Sequence, residues 1–141
     1  MENKHSQKFK FLEHTADVKF QAFGKSIEEV FENSSLALKE TICGKLEVEG
    51  EKEKTIKIRG DDLESLLYTF LEEIIYLLDA EDFILKEIKS IEINDLKLKA
   101  ILVGDNASNY GLNSKVKAVT YNEMFIKEEN GKWISQVVLD V

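Results

Sequence analysis

Between Phe83 and Val141 the chain runs through four stretches that alternate apolar and polar residues: "FILKEIKSIEI", "LKLKAILVG", "KVKAVTYNEMFIKE" and "KWISQVVLDV". A period of two over that length does not suit a helix and commits this part of the chain to strands with one buried face. The stretches are separated by Asn94-Asp95, by a polar loop near Gly104 to Ser114 and by Asn130-Gly131. Consecutive strands should therefore turn back on one another and lie antiparallel. Asn-Gly between two long alternating runs is a hairpin signal, because a two-residue turn needs positive φ values that these residues tolerate. The last two strands should pair.

Ahead of them the period changes. "DDLESLLYTFLEEIIYLLDAED" places Leu63, Leu66, Leu67, Phe70, Leu71, Ile74, Leu77 and Leu78 at helical spacing behind Asp61 or Asp62 as the cap. Tyr68, Ile75 and Tyr76 widen its apolar arc. An earlier helix opens at Ser26 with Glu29 three residues on, a capping-box pattern. Its stripe of Ile27, Val30, Phe31, Leu38 and Ile42 is interrupted by Ser34, and it ends near Gly44. Strands are predicted at about residues 9 to 13 and 17 to 23, the second ended by Gly24. "KLEVEG" and "EKTIKIRG" read as a hairpin turning at Gly50 and closed by Gly60. The sum is an α+β two-layer sandwich, a mainly antiparallel sheet with two amphipathic helices packed on one face. Residues 9–141 form a single domain behind a flexible N-terminus of residues 1–8.

With 141 residues, 43% of them hydrophobic, such a domain can bury a core without covalent staples. The lone Cys43 allows no internal disulfide, the polar start "MENKHSQKFK" holds no apolar leader, and no stretch is long and apolar enough to cross a membrane. A soluble, cytoplasmic protein is expected. The formal charge of -8 argues against a surface built mainly to grip phosphates, so no strong direct nucleic-acid binding is expected, although a local basic patch is compatible with it. Arg59 is the sole arginine. An acidic surface of this kind suits a basic protein partner or a cation.

The dinucleotide, P-loop, nucleophile-elbow and zinc signatures are all absent from the sequence. Cys43 has no histidine nearby in sequence, and a nucleophile pair would need His14 brought across the fold. What is left is oxygen chemistry. "HTAD" puts His14, Thr15 and Asp17 at the junction of the first two strands, and Asp140 is followed only by Val141. Asp17, Asp140 and a terminal carboxylate on Val141 would suit a hard divalent cation. By spacing alone, Asp17 fits a turn cap and Asp140 a solvated carboxylate just as readily.

"FLEHTADVKFQAFGKSIEEVFENSSLAL", "LLYTFLEEIIYLLDAEDF", "VKAVTYNEMFI" and "WISQVVLDV", in that order from Phe11 to Val141, resemble the archease family. That resemblance implies a non-enzymatic protein cofactor of the RtcB-type tRNA-splicing ligase, an activator that promotes guanylylation of the ligase and its multiple turnover. It also implies a metal site at Asp17, Asp140 and Val141, with calcium first and magnesium or manganese as alternatives; His14 and Thr15 stand beside it as accessory positions. The family pattern often has histidine where this chain has Asn122, and glycine where it has Lys19. Two other functions are open on the residues: a metal-dependent phosphoester hydrolase using Asp17, Asp140 and His14, and a general chaperone-like acidic module.

Overall fold

A computed structural model of the chain describes residues 7–112 and 116–141. The order is β1 (Phe9–Leu12), β2 (Val18–Gly24), α1 (Ile27–Cys43), β3 (Lys52–Arg59), α2 (Leu63–Glu81), β4 (Phe83–Asn94), β5 (Lys97–Asn106), a 3-10 turn (Ala107–Tyr110), β6 (Ala118–Glu129) and β7 (Lys132–Asp140). The expected flexible tail of residues 1–8 lies outside the described residues except for Gln7 and Lys8. The Lys8 carbonyl accepts from the Phe23 amide at 2.9 Å.

The α+β sandwich is present, with all strand pairs antiparallel, but the sheet is split in two. One sheet has the order β1-β2-β7-β6 and the other β3-β5-β4. The chain leaves the second sheet after β5 through the 3-10 turn and enters the first at β6. Alternation marks which residues are strand and which face is apolar; it carries no information on which strand lies alongside.

Helix α1 lies on β2, β7 and β4, and α2 on β6, β3 and β4. Phe31 of α1 meets Phe70 of α2 with ring centroids 5.8 Å apart, so the two helices share one core. The predicted stripes are buried: Val30, Phe31, Leu38 and Ile42 on α1, and Leu66, Leu67, Phe70, Leu71 and Ile74 on α2. From the sheets they meet Phe20, Ala22, Val137, Leu139, Leu98 and Leu102. Ser34, the break in the α1 stripe, is fully buried; its hydroxyl bonds the Val30 carbonyl at 2.7 Å and the Ser135 hydroxyl of β7 at 2.8 Å. A buried hydroxyl costs free energy unless it is paired, and here each serine supplies the other's partner.

Both helix starts follow their sequence signals. Asp62 accepts from the Ser65 amide at 2.7 Å while the Ser65 hydroxyl accepts from the Asp62 amide at 3.1 Å. On α1 the Ser26 hydroxyl accepts from the Glu29 amide at 3.1 Å, but the Glu29 carboxylate reaches one residue further back and accepts from the Lys25 amide at 2.6 Å. Ser26→Ala is expected to lower stability by about 1 kcal/mol, read as a shifted urea midpoint with an unchanged m-value.

The expected hairpin around Gly50 does not form, because the segment before β3 is not a strand. β3 pairs instead with β5, Ile56 opposite Ala100. Val48 is buried, the Glu49 amide donates to the Tyr110 hydroxyl at 2.9 Å, and that hydroxyl donates to Asp105 at 2.7 Å. Gly50 marks a close approach rather than a turn, since a Cβ there would meet the Gly104 carbonyl oxygen at 2.6 Å. The final hairpin forms as the sequence indicates, with Asn130 and Gly131 at φ 53° and 78° joining β6 to β7. Gly104, expected to begin a polar loop, lies inside β5 opposite Lys52 and Leu85.

Candidate functional site

The β2–β7 ladder pairs Val18 with Leu139, Lys19 with Val138 and Phe20 with Val137. Phe20, Val137 and Leu139 belong to the core under the helices, so the alternate residues Lys19, Val138, Gln21 and Gln136 point to the opposite, outer face of this sheet. The ladder ends at Val18 and Leu139; Asp17 lies in the bend immediately before β2, and Asp140 is the last residue of β7. On its other side Asp140 pairs with Ala118 of β6, whose methyl leaves room beside the carboxylate. The Asp140 carbonyl accepts from the Lys117 amide at 2.7 Å. Asp17, Asp140 and Val141 are half-buried, and neither aspartate side chain forms a hydrogen bond or ion pair among the described residues.

Asp17 and Asp140, far apart in the sequence, thus both lie at the Val18–Leu139 end of the β2–β7 ladder, and Val141 follows Asp140. Thr15 is exposed and His14 half-buried in the β1–β2 connection. Among the described residues no three His, Cys, Asp or Glu side chains gather closely enough to hold a metal ion. Asp17 and Asp140 would offer two carboxylates, with main-chain oxygen beside them. All of it is hard oxygen, with no thiolate and no imidazole in place, a chemistry that fits Ca²⁺, Mg²⁺ or Mn²⁺ better than a softer ion.

Sequence reasoning missed Glu123. Between Thr120 and Phe125 the β6–β7 register jumps, so that β6 carries three residues more than β7 over this interval, and Glu123 sits in that bulge at φ 56°. Its carboxylate accepts from Lys19 Nζ at 2.9 Å and lies 3.4 Å from His14 Nε2. Its carbonyl accepts from Gln136 Nε2 at 2.8 Å, and Gln136 Oε1 in turn accepts from Gln21 Nε2 at 2.9 Å. The bulge is thereby tied to β7, β2 and the β1–β2 connection at once. Asn122 is exposed, its amide donating to the Thr120 hydroxyl at 3.2 Å. The one sequence trace of the bulge was "TYNEM", where polar and apolar positions stop alternating inside a strand.

Lys19, and after it His14, hold the Glu123 carboxyl below its ordinary range. A carboxylate held low contributes stability that is present above its unfolded-state pKa and is lost as pH falls through the folded value. Lys19→Met should raise the Glu123 pKa toward its ordinary range, measured by NMR titration of the side-chain carboxyl, and should shrink the loss of stability in acid. His14 Nε2 donates to Glu123 only when it carries the proton. His14 Nδ1 is buried without a hydrogen-bond partner, so a neutral ring in that tautomer keeps an unshared lone pair there.

Residues 9–141 match the model of the Archease protein family. The archease of Methanosarcina mazei is 36% identical over 141 residues, covering 96% of this chain and 97% of that protein. A solution structure of a Methanobacterium thermoautotrophicum protein superposes with a TM-score of 0.79 at 35% identity, covering 94% of this chain and 98% of the other. The crystal structure of a Thermotoga maritima archease, described as a possible chaperone, shares the fold with a TM-score of 0.66 at 21% identity, covering 92% and 94%.

Proposed function

Because the chain belongs to the archease family, we propose that it is a protein activator of an RtcB-type tRNA-splicing ligase, promoting guanylylation of the ligase and so its multiple turnover. The observation that supports this reading is that Asp17 and Asp140 both stand at the Val18–Leu139 end of the β2–β7 ladder, half-buried and with no side-chain hydrogen bond or ion pair among the described residues. Two carboxylates that approach within about 5 Å repel by roughly 1 to 3 kcal/mol at effective dielectrics between those of water and a protein surface. A cation or a basic partner relieves that repulsion. Asp17, Asp140 and a main-chain oxygen of Val141 would hold the cation, Ca²⁺ in first place, with Mg²⁺ and Mn²⁺ as alternatives. When bound, that ion supplies the positive charge that lets the carboxylates stand together.

The protein's own residues do the rest. Asp17 and Asp140 present an anionic tip to the ligase, and Ala118 keeps the approach open. Glu123, with Lys19, Gln136 and Gln21, fixes the neighbouring bulge and with it the outline of the contact surface. His14 and Thr15 flank the tip from the β1–β2 connection. In this reading the partner is the ligase, the compartment is the cytoplasm, and the chain turns over no substrate of its own. Support for a protein partner comes also from the description of the Thermotoga maritima relative as a possible chaperone.

The test is a guanylylation time course of an RtcB-type ligase with GTP, with and without this protein. Faster guanylylation with this protein substoichiometric to the ligase is expected and, once RNA ends are added, repeated turnover of the ligase. Phosphoester hydrolysis by the isolated protein with added Mg²⁺, Mn²⁺ or Ca²⁺ would favour the hydrolase instead. Protection of unrelated proteins from aggregation, with no effect on guanylylation, would favour the chaperone.

A further inference from the structure

The second sheet carries a charge arrangement that neither the core nor the anionic tip explains. In the β3–β5 ladder Lys57 stands directly opposite Lys99 and Arg59 directly opposite Lys97. All four are exposed, while the alternate residues Ile56, Leu98 and Ala100 are buried, so the four cations share the outer face. Like charges directly opposed across a ladder destabilise a sheet. Lys54 pairs with Glu81, Lys89 with Glu53 and Lys19 with Glu123, whereas none of these four forms an ion pair among the described residues. Two acidic residues line the depression that these four cations share, Glu92 of β4, opposite Lys99, and Asp95 of the β4–β5 turn, so four cations face two carboxylates there; Lys97 itself is opposite the uncharged Asn94. Edge lysines commonly guard a strand against aggregation. That accounts for Lys57 and Arg59 on the edge strand β3, but Lys97 and Lys99 stand on β5, the central strand.

We infer that this face is a docking surface for the phosphate backbone of RNA. An anionic polymer relieves both opposed pairs together. No aromatic side chain stands among the residues lining this shallow depression, and the enriched anchors of a protein interface are aromatic. Lysine and arginine without stacking groups contact phosphates and leave bases unread, so binding is weak, salt-sensitive and independent of sequence. The overall charge of -8 keeps it local, confined to this face. The choice of RNA over another polyanion rests on the RNA-ligase reading above; the patch itself does not.

The experiment is fluorescence anisotropy of a labelled single-stranded RNA with the full chain, at salt concentrations from 50 to 200 mM. Four neutralised phosphates on a single strand predict a log–log salt slope near -3, about a fiftyfold loss of affinity over that range. The quadruple variant K57Q/R59Q/K97Q/K99Q should bind at least about tenfold more weakly at the lowest salt and lose most of that slope, one cation accounting for about 0.7 of it. It should melt no lower than the parent, since it removes two repulsive pairs. Absence of binding by the parent at 50 mM salt, a parent slope near zero, or undiminished binding by the quadruple variant would each overturn the proposal. Polyglutamate binding as tightly as RNA would overturn it in favour of an acidic protein. Guanylylation of the ligase uses no RNA, so it reports on the activator reading separately: a quadruple variant that loses RNA and still accelerates guanylylation supports both.

Discussion

Replacing Asp17 or Asp140 by alanine should abolish acceleration of ligase guanylylation and lower divalent-ion affinity by more than about tenfold, the lower end of what loss of even an outer-shell partner costs a metal site. The fold should survive. Asp17 immediately precedes β2 and Asp140 ends β7, neither side chain is in the helix-facing core, and neither makes a hydrogen bond or ion pair among the described residues. With chelator present, the melting temperature of each variant should be equal to or slightly above that of the parent, because one of two mutually repelling carboxylates is gone. Calorimetric titration of Ca²⁺ and Mn²⁺, thermal melts with and without chelator, and the guanylylation time course separate the outcomes. A variant that still supports multiple turnover removes that aspartate from the mechanism. A variant that binds the ion normally but no longer activates makes the carboxylate a contact to the ligase instead of a ligand.

Gly104→Ala should be the most damaging small substitution in the fold. Gly104 lies in the central strand of the second sheet, and a Cβ there would fall within the Ile84 carbonyl oxygen and 2.7 Å from Phe83 Cζ. The oxygen belongs to the backbone of β4, so it cannot swing aside as a side-chain tip does. A loss of about 3 kcal/mol is expected, roughly 10 °C in melting temperature for a chain of this size. Gly131→Ala is the contrast. It has open space around the position and suffers only from its positive φ of 78°, a cost of about 1 to 2 kcal/mol. Equal melting temperatures for the two variants would mean that β4 shifts away from Gly104 without loss.

The helices and their caps were legible in the residues alone. Ser26 and Asp62 act through hydrogen bonds to amides three residues on, and the buried stripes repeat every three or four positions, so the information is local. The Asn130-Gly131 hairpin was legible for the same reason, a turn conformation that few residue pairs accept. Asp17 and Asp140 are proposed as ligands on the family resemblance, since spacing alone fits a turn cap and a solvated carboxylate as readily as a cation site. The tertiary structure decided everything that depends on which strand lies beside which. It split one expected sheet into two, turned Gly50 and Gly104 from loop signals into points of close backbone approach, and placed Glu123 in a bulge against Lys19 and His14. It also set Lys57 opposite Lys99 and Arg59 opposite Lys97. Alternation with a period of two determines the face on which a side chain lies; strand partners and registers are chosen by how two apolar faces and two helices fill one core, a property of the whole chain that no single stretch of it encodes.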